Sequence, residues 1–215
     1  MTNPRIYSRR AFVWRAATGI GSILAANPLS VFAGDIKPKP ENIISPKEAL
    51  DRLIEGNKRY IAGTPLPLEF SKTREALSSG QNPYACILGC ADSRVAPELC
   101  FDAGIGDLFV TRVAGNFVTP QILASLEYGT EFLGAPLIMV LGHTKCGAID
   151  ATIKSIKDDA VFPGHIQNLV TDMSGSINAA EIKNPADLEM TAIRQNVKIN
   201  VKKLREGLKN SISNA

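Results

Sequence analysis

Three short runs of nearly unbroken apolar residues stand out along the chain: residues 84–89 (YACILG), 108–114 (LFVTRVA) and 136–142 (PLIMVLG). None alternates apolar with polar, as a strand with one wet face would. Continuous runs of this length suit strands covered on both faces, the condition of a parallel sheet with helical crossovers. Helical signals fill the intervals. Ser45-Pro46-Lys47-Glu48 combines a capping serine, a first-turn proline and a capping-box glutamate. Leu50, Leu53, Ile54, Asn57, Tyr60 and Ile61 follow at helical spacing until Gly63, so this helix is expected to pack on the core. Thr119-Pro120 opens a second helix to about Phe132. Residues 148–215 read as helical, with a looser loop around 171–185 and a charged amphipathic helix over 193–208. Residues 34–44, with two Lys-Pro pairs, read as an extended arm. The pattern predicts an α/β domain over residues 34–215, a parallel-sheet core flanked by helices and preceded by a helical arm.

The first 33 residues belong to a different class. Ser8-Arg9-Arg10-Ala11-Phe12 precedes an apolar stretch over residues 16–26, and Val31-Phe32-Ala33 ends in small residues before Gly34. A positive end, an apolar middle and a small-residue cut form a secretory signal, and the paired arginines match the twin-arginine export type. The apolar stretch is too short for a span of about 20 residues. Export to the bacterial periplasm is expected. This segment also accounts for the charge: of 24 Lys and Arg against 21 Asp and Glu, four arginines and no acid lie in it, leaving 20 against 21, a net −1. So balanced a domain offers no electrostatic case for a nucleic-acid or anionic-membrane partner.

The chemistry sits at two strand ends. Cys90-Ala91-Asp92-Ser93-Arg94 directly follows the first strand, and His143-Thr144-Lys145-Cys146 directly follows the third. Ligands of open α/β sheets gather beyond the carboxyl ends of strands. If these two strands are neighbours, two thiols, an imidazole and a carboxylate about 50 residues apart in sequence meet. Sulfur and imidazole select zinc over magnesium or calcium, and three protein ligands leave the fourth position of a catalytic site open. Each cluster alone is weak, since isolated cysteines and histidines are commonly core residues. Their joint placement is the signal: three of the chain's four cysteines and two histidines lie at these two ends.

Cys-Ala-Asp-Ser-Arg-Val-Ala-Pro-Glu, Gly-Asp-Leu-Phe-Val-Thr-Arg-Val-Ala-Gly-Asn and Gly-His-Thr-Lys-Cys-Gly-Ala resemble the beta class of carbonic anhydrases, in order and spacing, over about residues 45–170. The resemblance implies strand order 2-1-3, one zinc per chain on Cys90, His143 and Cys146, and a catalytic dyad of Asp92 and Arg94. It implies reversible hydration of carbon dioxide to bicarbonate by zinc-bound hydroxide. In such a site Asp92 would orient the attacking oxygen, while Arg94 keeps Asp92 ionised and out of the metal's fourth position. Gln81 falls where the family binds substrate, and Phe109 and Tyr128 where it lines an apolar pocket, often completed by a partner in a homodimer or higher oligomer. The resemblance also implies one or two further strands past the last helix, which the chain does not show. Ala114 and Gly115 are smaller than the residues of relatives, and Trp14, the one tryptophan, lies in the signal, so a tryptophan-containing bicarbonate regulatory site has no counterpart.

Other features read blandly. Gly104-x-Gly106 precedes a strand rather than a helix and is loop geometry, not a nucleotide loop. Cys86 lies inside a strand and is expected as a buried free thiol; Cys100 is left over. His165 could shuttle protons, or be an ordinary loop histidine. Three rival functions remain: hydrolysis of carbon disulfide or a similar small molecule at the same ligands, a non-catalytic zinc protein, and a dithiol redox protein. The absence of any Cys-x-x-Cys disfavours the last, and the Asp92–Arg94 pair argues against the second.

Overall fold

The structure, a computed structural model, describes residues 38–67, 70–177 and 188–213. The signal expected over residues 1–33 lies outside the described residues. In chain order the elements are α1 (Pro46–Ala62), α2 (Phe70–Leu77), β1 (Ala85–Gly89), α3 (Pro97–Cys100), β2 (Leu108–Arg112), α4 (Pro120–Glu131), β3 (Ile138–Leu141), α5 (Gly147–Asp158), α6 (Ile166–Ser174) and α7 (Leu188–Ser213). The three apolar runs are the three strands. They form one parallel sheet in the order β2-β1-β3, with Ala85 opposite Leu108 and Cys86 opposite both Phe109 and Ile138.

Period-two alternation sorts the strand residues into two cores. Ala85 and Ile87, with Leu108, Val110 and Met139, pack against Ala49 and Leu53 of α1 and against Phe101. Cys86 and Leu88, with Phe109, Ile138 and Val140, pack against Leu126 of α4 and Leu204 of α7. β1 is fully buried along its length because it has a neighbour on each side and helices on each face, while β2 and β3 are half-buried edges. A third core forms beyond the carboxyl ends of the strands. There Phe117, Ile149, Ile153, Met173 and Ile193 close around Cys90 and Cys146.

The helix starts follow their sequence signals. The Ser45 hydroxyl accepts from the Glu48 backbone N–H while the Glu48 carboxylate accepts from the Ser45 N–H, and Gly63 ends α1 in the left-handed conformation. Thr119 caps α4 through the Ile122 N–H. Three expectations need correction. The α1 positions chosen by apolar spacing are mostly exposed: Leu50, Ile54, Tyr60 and Ile61 face outward, and Ala49, Leu53 and Gly56 face the core. Gly56 lies so close to the Phe101 carbonyl that a Cβ would collide, so contact on this face demands small residues. The loop expected from residue 171 begins later, because α6 continues through Ser174 on buried Val170 and Met173. The last helix starts at Leu188, five residues before the sequence reading placed it.

The described part of the arm is pinned rather than free. Lys39 N–H donates to Asn82 Oδ1, Asn82 Nδ2 donates back to Lys39 O, and the Lys39 ammonium pairs with buried Asp107. Among the described residues, no helix is long and apolar enough to cross a membrane.

Candidate metal centre

The order β2-β1-β3 makes β1 and β3 neighbours, so the loops leaving their carboxyl ends meet. Cys90 and Cys146 are buried, at 6% and 2% exposure. Their sulfurs lie 4.0 Å apart, and one ligand atom from each of Cys90, His143 and Cys146 falls within 4.8 Å of the others. Tetrahedral zinc with bonds of about 2.3 Å to sulfur places two sulfurs about 3.8 Å apart, so the pair is spaced for a shared ion. The sulfurs are too far apart for a disulfide, which needs about 2.05 Å.

The imidazole supplies the sharper test. His143 Nδ1 lies 2.8 Å from the Thr144 carbonyl oxygen, which only an N–H can satisfy, so the neutral ring carries its proton on Nδ1 and its lone pair on Nε2. That Nε2 is buried and has no hydrogen-bond partner. A buried ring nitrogen without a partner is costly unless something binds it, and a carbonyl on the opposite nitrogen is the arrangement of metal-ligating histidines. The donors fit zinc.

Local backbone explains how the loops reach this geometry. Lys145 takes a left-handed conformation, φ +56°, which turns the His143–Cys146 loop back on itself, and Cys146 then stands at the N-cap of α5, where helix N–H groups favour a thiolate. The Cys90 loop is held by Arg112, whose guanidinium donates to the carbonyls of Cys90 (2.8 Å), Asp92 (2.6 Å) and Val95 (3.0 Å). Sequence reasoning did not single out Arg112; its register opposite Gly89, the last residue of β1, is the signal that finds it. Gly115 N–H donates to Cys90 Sγ at 3.2 Å. The Cys90 thiol is pulled well below the ordinary thiol range, first by the thiol of Cys146 and then by the Gly115 N–H and the neighbouring His143. Cys146 is pushed well above the thiol range by that same ionised neighbour and by burial.

Asp92 and Arg94 sit at the mouth. Arg94 Nε and Nη2 donate to the two Asp92 carboxylate oxygens at 2.9 and 2.6 Å, the Arg94 backbone N–H donates to Oδ1 at 2.9 Å, and Nη2 also reaches the Lys145 carbonyl. This fork holds the Asp92 carboxyl well below the usual carboxylate range. Asp92 Oδ2 lies 3.9 Å from His143 Nε2, beside the ligand cluster and not among its three members.

The remaining predicted residues are not brought to this cluster within the chain. Gln81 is exposed and precedes β1, whereas Cys90 follows it. Five strand residues at about 3.3 Å each separate the two ends. Phe109 pairs with Cys86 at the early end of β1 and contacts Tyr128, which stacks on Phe132 at 5.4 Å between ring centroids. These rings form an aromatic patch, with Tyr128 and Phe132 about 40% exposed, rather than the wall of this chain's own cluster. Cys86 is a buried free thiol pushed up to about 12 by burial, as expected of an inert core cysteine, and Cys100 is a half-buried free thiol. His165 is exposed at the start of α6. A cavity of about 210 Å³ lined by Arg52, Arg59, Tyr84 and Asp107 opens at the amino ends of the strands, away from the cluster.

Comparison with known proteins agrees with this geometry. The family model described as carbonic anhydrase matches residues 85–214. Carbonic anhydrase 2 of Mycobacterium tuberculosis is 43% identical over 134 residues, 62% of this chain and 65% of that protein; a carbonic anhydrase of Mycolicibacterium smegmatis is 42% identical over the same shares. The chain thus spans just under two thirds of the length of these relatives. Among solved structures, the beta-carbonic anhydrase CcaA superposes with a TM-score of 0.56 at 30% identity, covering 74% of each chain. A Coccomyxa beta-carbonic anhydrase in complex with acetazolamide gives 0.54 at 26% identity, covering 80% of this chain and 72% of that one. With a family match over more than half its length and a sheet, a thiol pair and an imidazole arranged as described, the chain belongs to the beta-class carbonic anhydrases.

Proposed function

We propose that this protein catalyses the reversible hydration of carbon dioxide to bicarbonate at a single zinc ion held by Cys90, His143 and Cys146. The observation that carries the reading is the partnerless, buried His143 Nε2 beside two thiols 4.0 Å apart, with a carboxylate at the mouth that is engaged by an arginine. Zinc held by these three residues would supply Lewis acidity, which lowers the pKa of water from 15.7 to roughly 7. The chain's own residues supply the rest. Thr144 O fixes the tautomer that leaves Nε2 free to bind. Asp92, kept ionised by Arg94, is an acceptor for a hydrogen at the mouth and so sets which lone pair faces incoming carbon dioxide. Arg94 occupies both Asp92 oxygens and withholds them from the metal. Phe117, Ile149 and Ile193 keep bulk water from the sulfurs.

A hydration assay on the zinc-loaded mature chain tests this. Carbon dioxide hydration that falls sharply in Asp92→Asn and Arg94→Ala, with zinc content retained, supports the roles given; undiminished activity in both contradicts them.

A homodimer is part of the proposal. Among the described residues the outer edge of β2 is unpaired and Tyr128 and Phe132 form an exposed aromatic patch, surfaces that a second copy would cover. A second copy seated there brings Gln81, Phe109 and Tyr128 toward the partner's cluster, the role their own cluster leaves unfilled. Export by the twin-arginine route to the periplasm is also proposed, on the residues of the first 33 positions.

A further inference from the structure

Two asparagines of α7 are sealed in the third core, Asn196 at 1% and Asn200 at 0% exposure, on a helix whose other polar residues are largely solvent-facing. Every polar atom of the pair that the geometry defines has a task. Asn196 Nδ2 donates to the Gly115 carbonyl at 2.8 Å. Asn200 Nδ2 donates to both the backbone oxygen and Oδ1 of Asn196, at 2.8 and 2.9 Å, and Asn200 Oδ1 accepts from the Val118 N–H at 2.8 Å. The loop of residues 113–118 is therefore fastened to α7 at two points. Its middle residue, Gly115, is the one whose N–H reaches Cys90 Sγ.

We propose that Asn196 is a positioning residue for the metal centre: by holding the Gly115 carbonyl it keeps the Gly115 N–H aimed at the Cys90 sulfur. Gly115 has φ +85°, and a Cβ there would collide with the Met173 sulfur, so the loop reaches this conformation only with glycine and needs an external anchor to stay in it. Asn200 locks the Asn196 amide so that its NH₂, not its oxygen, faces Gly115. The consequence is electronic. Two thiolates donate negative charge to a metal and weaken its acidity; an N–H donated to one sulfur draws part of that charge back. Through Asn196, α7 thus sets how strongly Cys90 donates to the ion. This consequence rests on the zinc reading of the site, whereas the bonds themselves do not.

The test loads the full mature protein with a spin-active cadmium isotope and measures, by NMR, scalar coupling between the metal and nearby protons. Couplings to the Cys90 and Cys146 β protons report that the metal is seated; their absence refutes the metal site itself, a separate failure from that of the relay. With the metal seated, the proposal expects a further coupling to the Gly115 amide proton, transmitted through the N–H···S bond. Asn196→Asp keeps the shape, removes the donor, and is expected to abolish that coupling, retain the cysteine couplings, and lower zinc affinity against a competing chelator by about 10-fold or more. Asn200→Ser, which unlocks Asn196 without replacing it, serves if the first variant does not fold, with a smaller change in the same direction. A seated metal with no coupling at Gly115 in the unsubstituted protein overturns the proposal. So do a coupling and affinity unchanged in a folded variant.

Discussion

Zinc loading should release one proton from the cysteine pair at neutral pH, not two. The two sulfurs are 4.0 Å apart, and Cys90 receives hydrogen bonds from the Cys146 thiol and the Gly115 N–H. These two donors lower its first ionisation below the ordinary thiol value, and the expectation is that Cys90 is already a thiolate at neutral pH before any metal arrives. Removing the second proton would set two negative charges side by side. At 4 Å and an effective dielectric constant of about 20, that repulsion is about 4 kcal/mol, or roughly three pK units. Cys146 therefore keeps its proton until a cation neutralises the pair. The Thr144 carbonyl engages Nδ1 of His143 and leaves Nε2 as the atom that binds. The sign follows. Apparent zinc affinity rises with pH because a proton competes with the metal, and between about pH 7 and 8 the cysteine pair contributes about tenfold per unit, about 1.4 kcal/mol, with at most one further proton from the water that zinc acidifies to roughly 7. Two independent, ordinary thiols would give close to a hundredfold per unit over the same range. Chelator competition across that interval, with proton release read by an indicator in weak buffer, measures the slope directly. A slope above two, or release of more than two protons per zinc once that water is counted, refutes the shared-proton account of the site.

Other outcomes follow from single contacts. Arg94→Ala removes both side-chain donors from Asp92, and kcat/KM for carbon dioxide hydration should fall about 100-fold with zinc content unchanged. Gly129→Ala places a Cβ about 2.5 Å from the Cys86 sulfur and 3.1 Å from the Phe109 ring. It should lower stability to chemical denaturation by about 1–3 kcal/mol without altering the isolated metal loops. Tyr128→Glu, on the exposed aromatic patch, should shift the protein toward monomer in sedimentation while leaving zinc bound, and an unchanged assembly would exclude that patch from the interface. Replacing Arg9 and Arg10 by Lys should strand active protein inside the cell, and an undisturbed export level would refute the twin-arginine assignment.

What could be read from the sequence divides along physical lines. The strands were legible because β1 is buried on both faces, so no polar residue interrupts residues 84–89, and Ser45, Glu48, Thr119 and Pro120 announce helix starts by local bonds that need no tertiary context. The metal ligands were legible because zinc demands rare residue types at strand ends. The inward face of α1 was legible only at Leu53, because spacing arguments reward large residues, whereas Ala49 is small and the close approach of the Phe101 carbonyl leaves no room for a side chain at Gly56. Nor were Asn196 and Asn200, which on a charged helix look like solvent-facing positions until the fold sets the Gly115 and Val118 backbone against them. The placement of Gln81, Phe109 and Tyr128 was invisible for another reason: motif spacing says which residues serve a site, and not whose site they serve.

Everything turns on one ion shared by Cys90, His143 and Cys146. X-ray absorption at the zinc edge of the folded, zinc-loaded protein tests this most directly. Two sulfurs at about 2.3 Å with nitrogen and one further light atom at about 2.0 Å is the expected shell, and the nitrogen contribution should vanish in His143→Ala. A shell without sulfur, or one unchanged by that substitution, would contradict it.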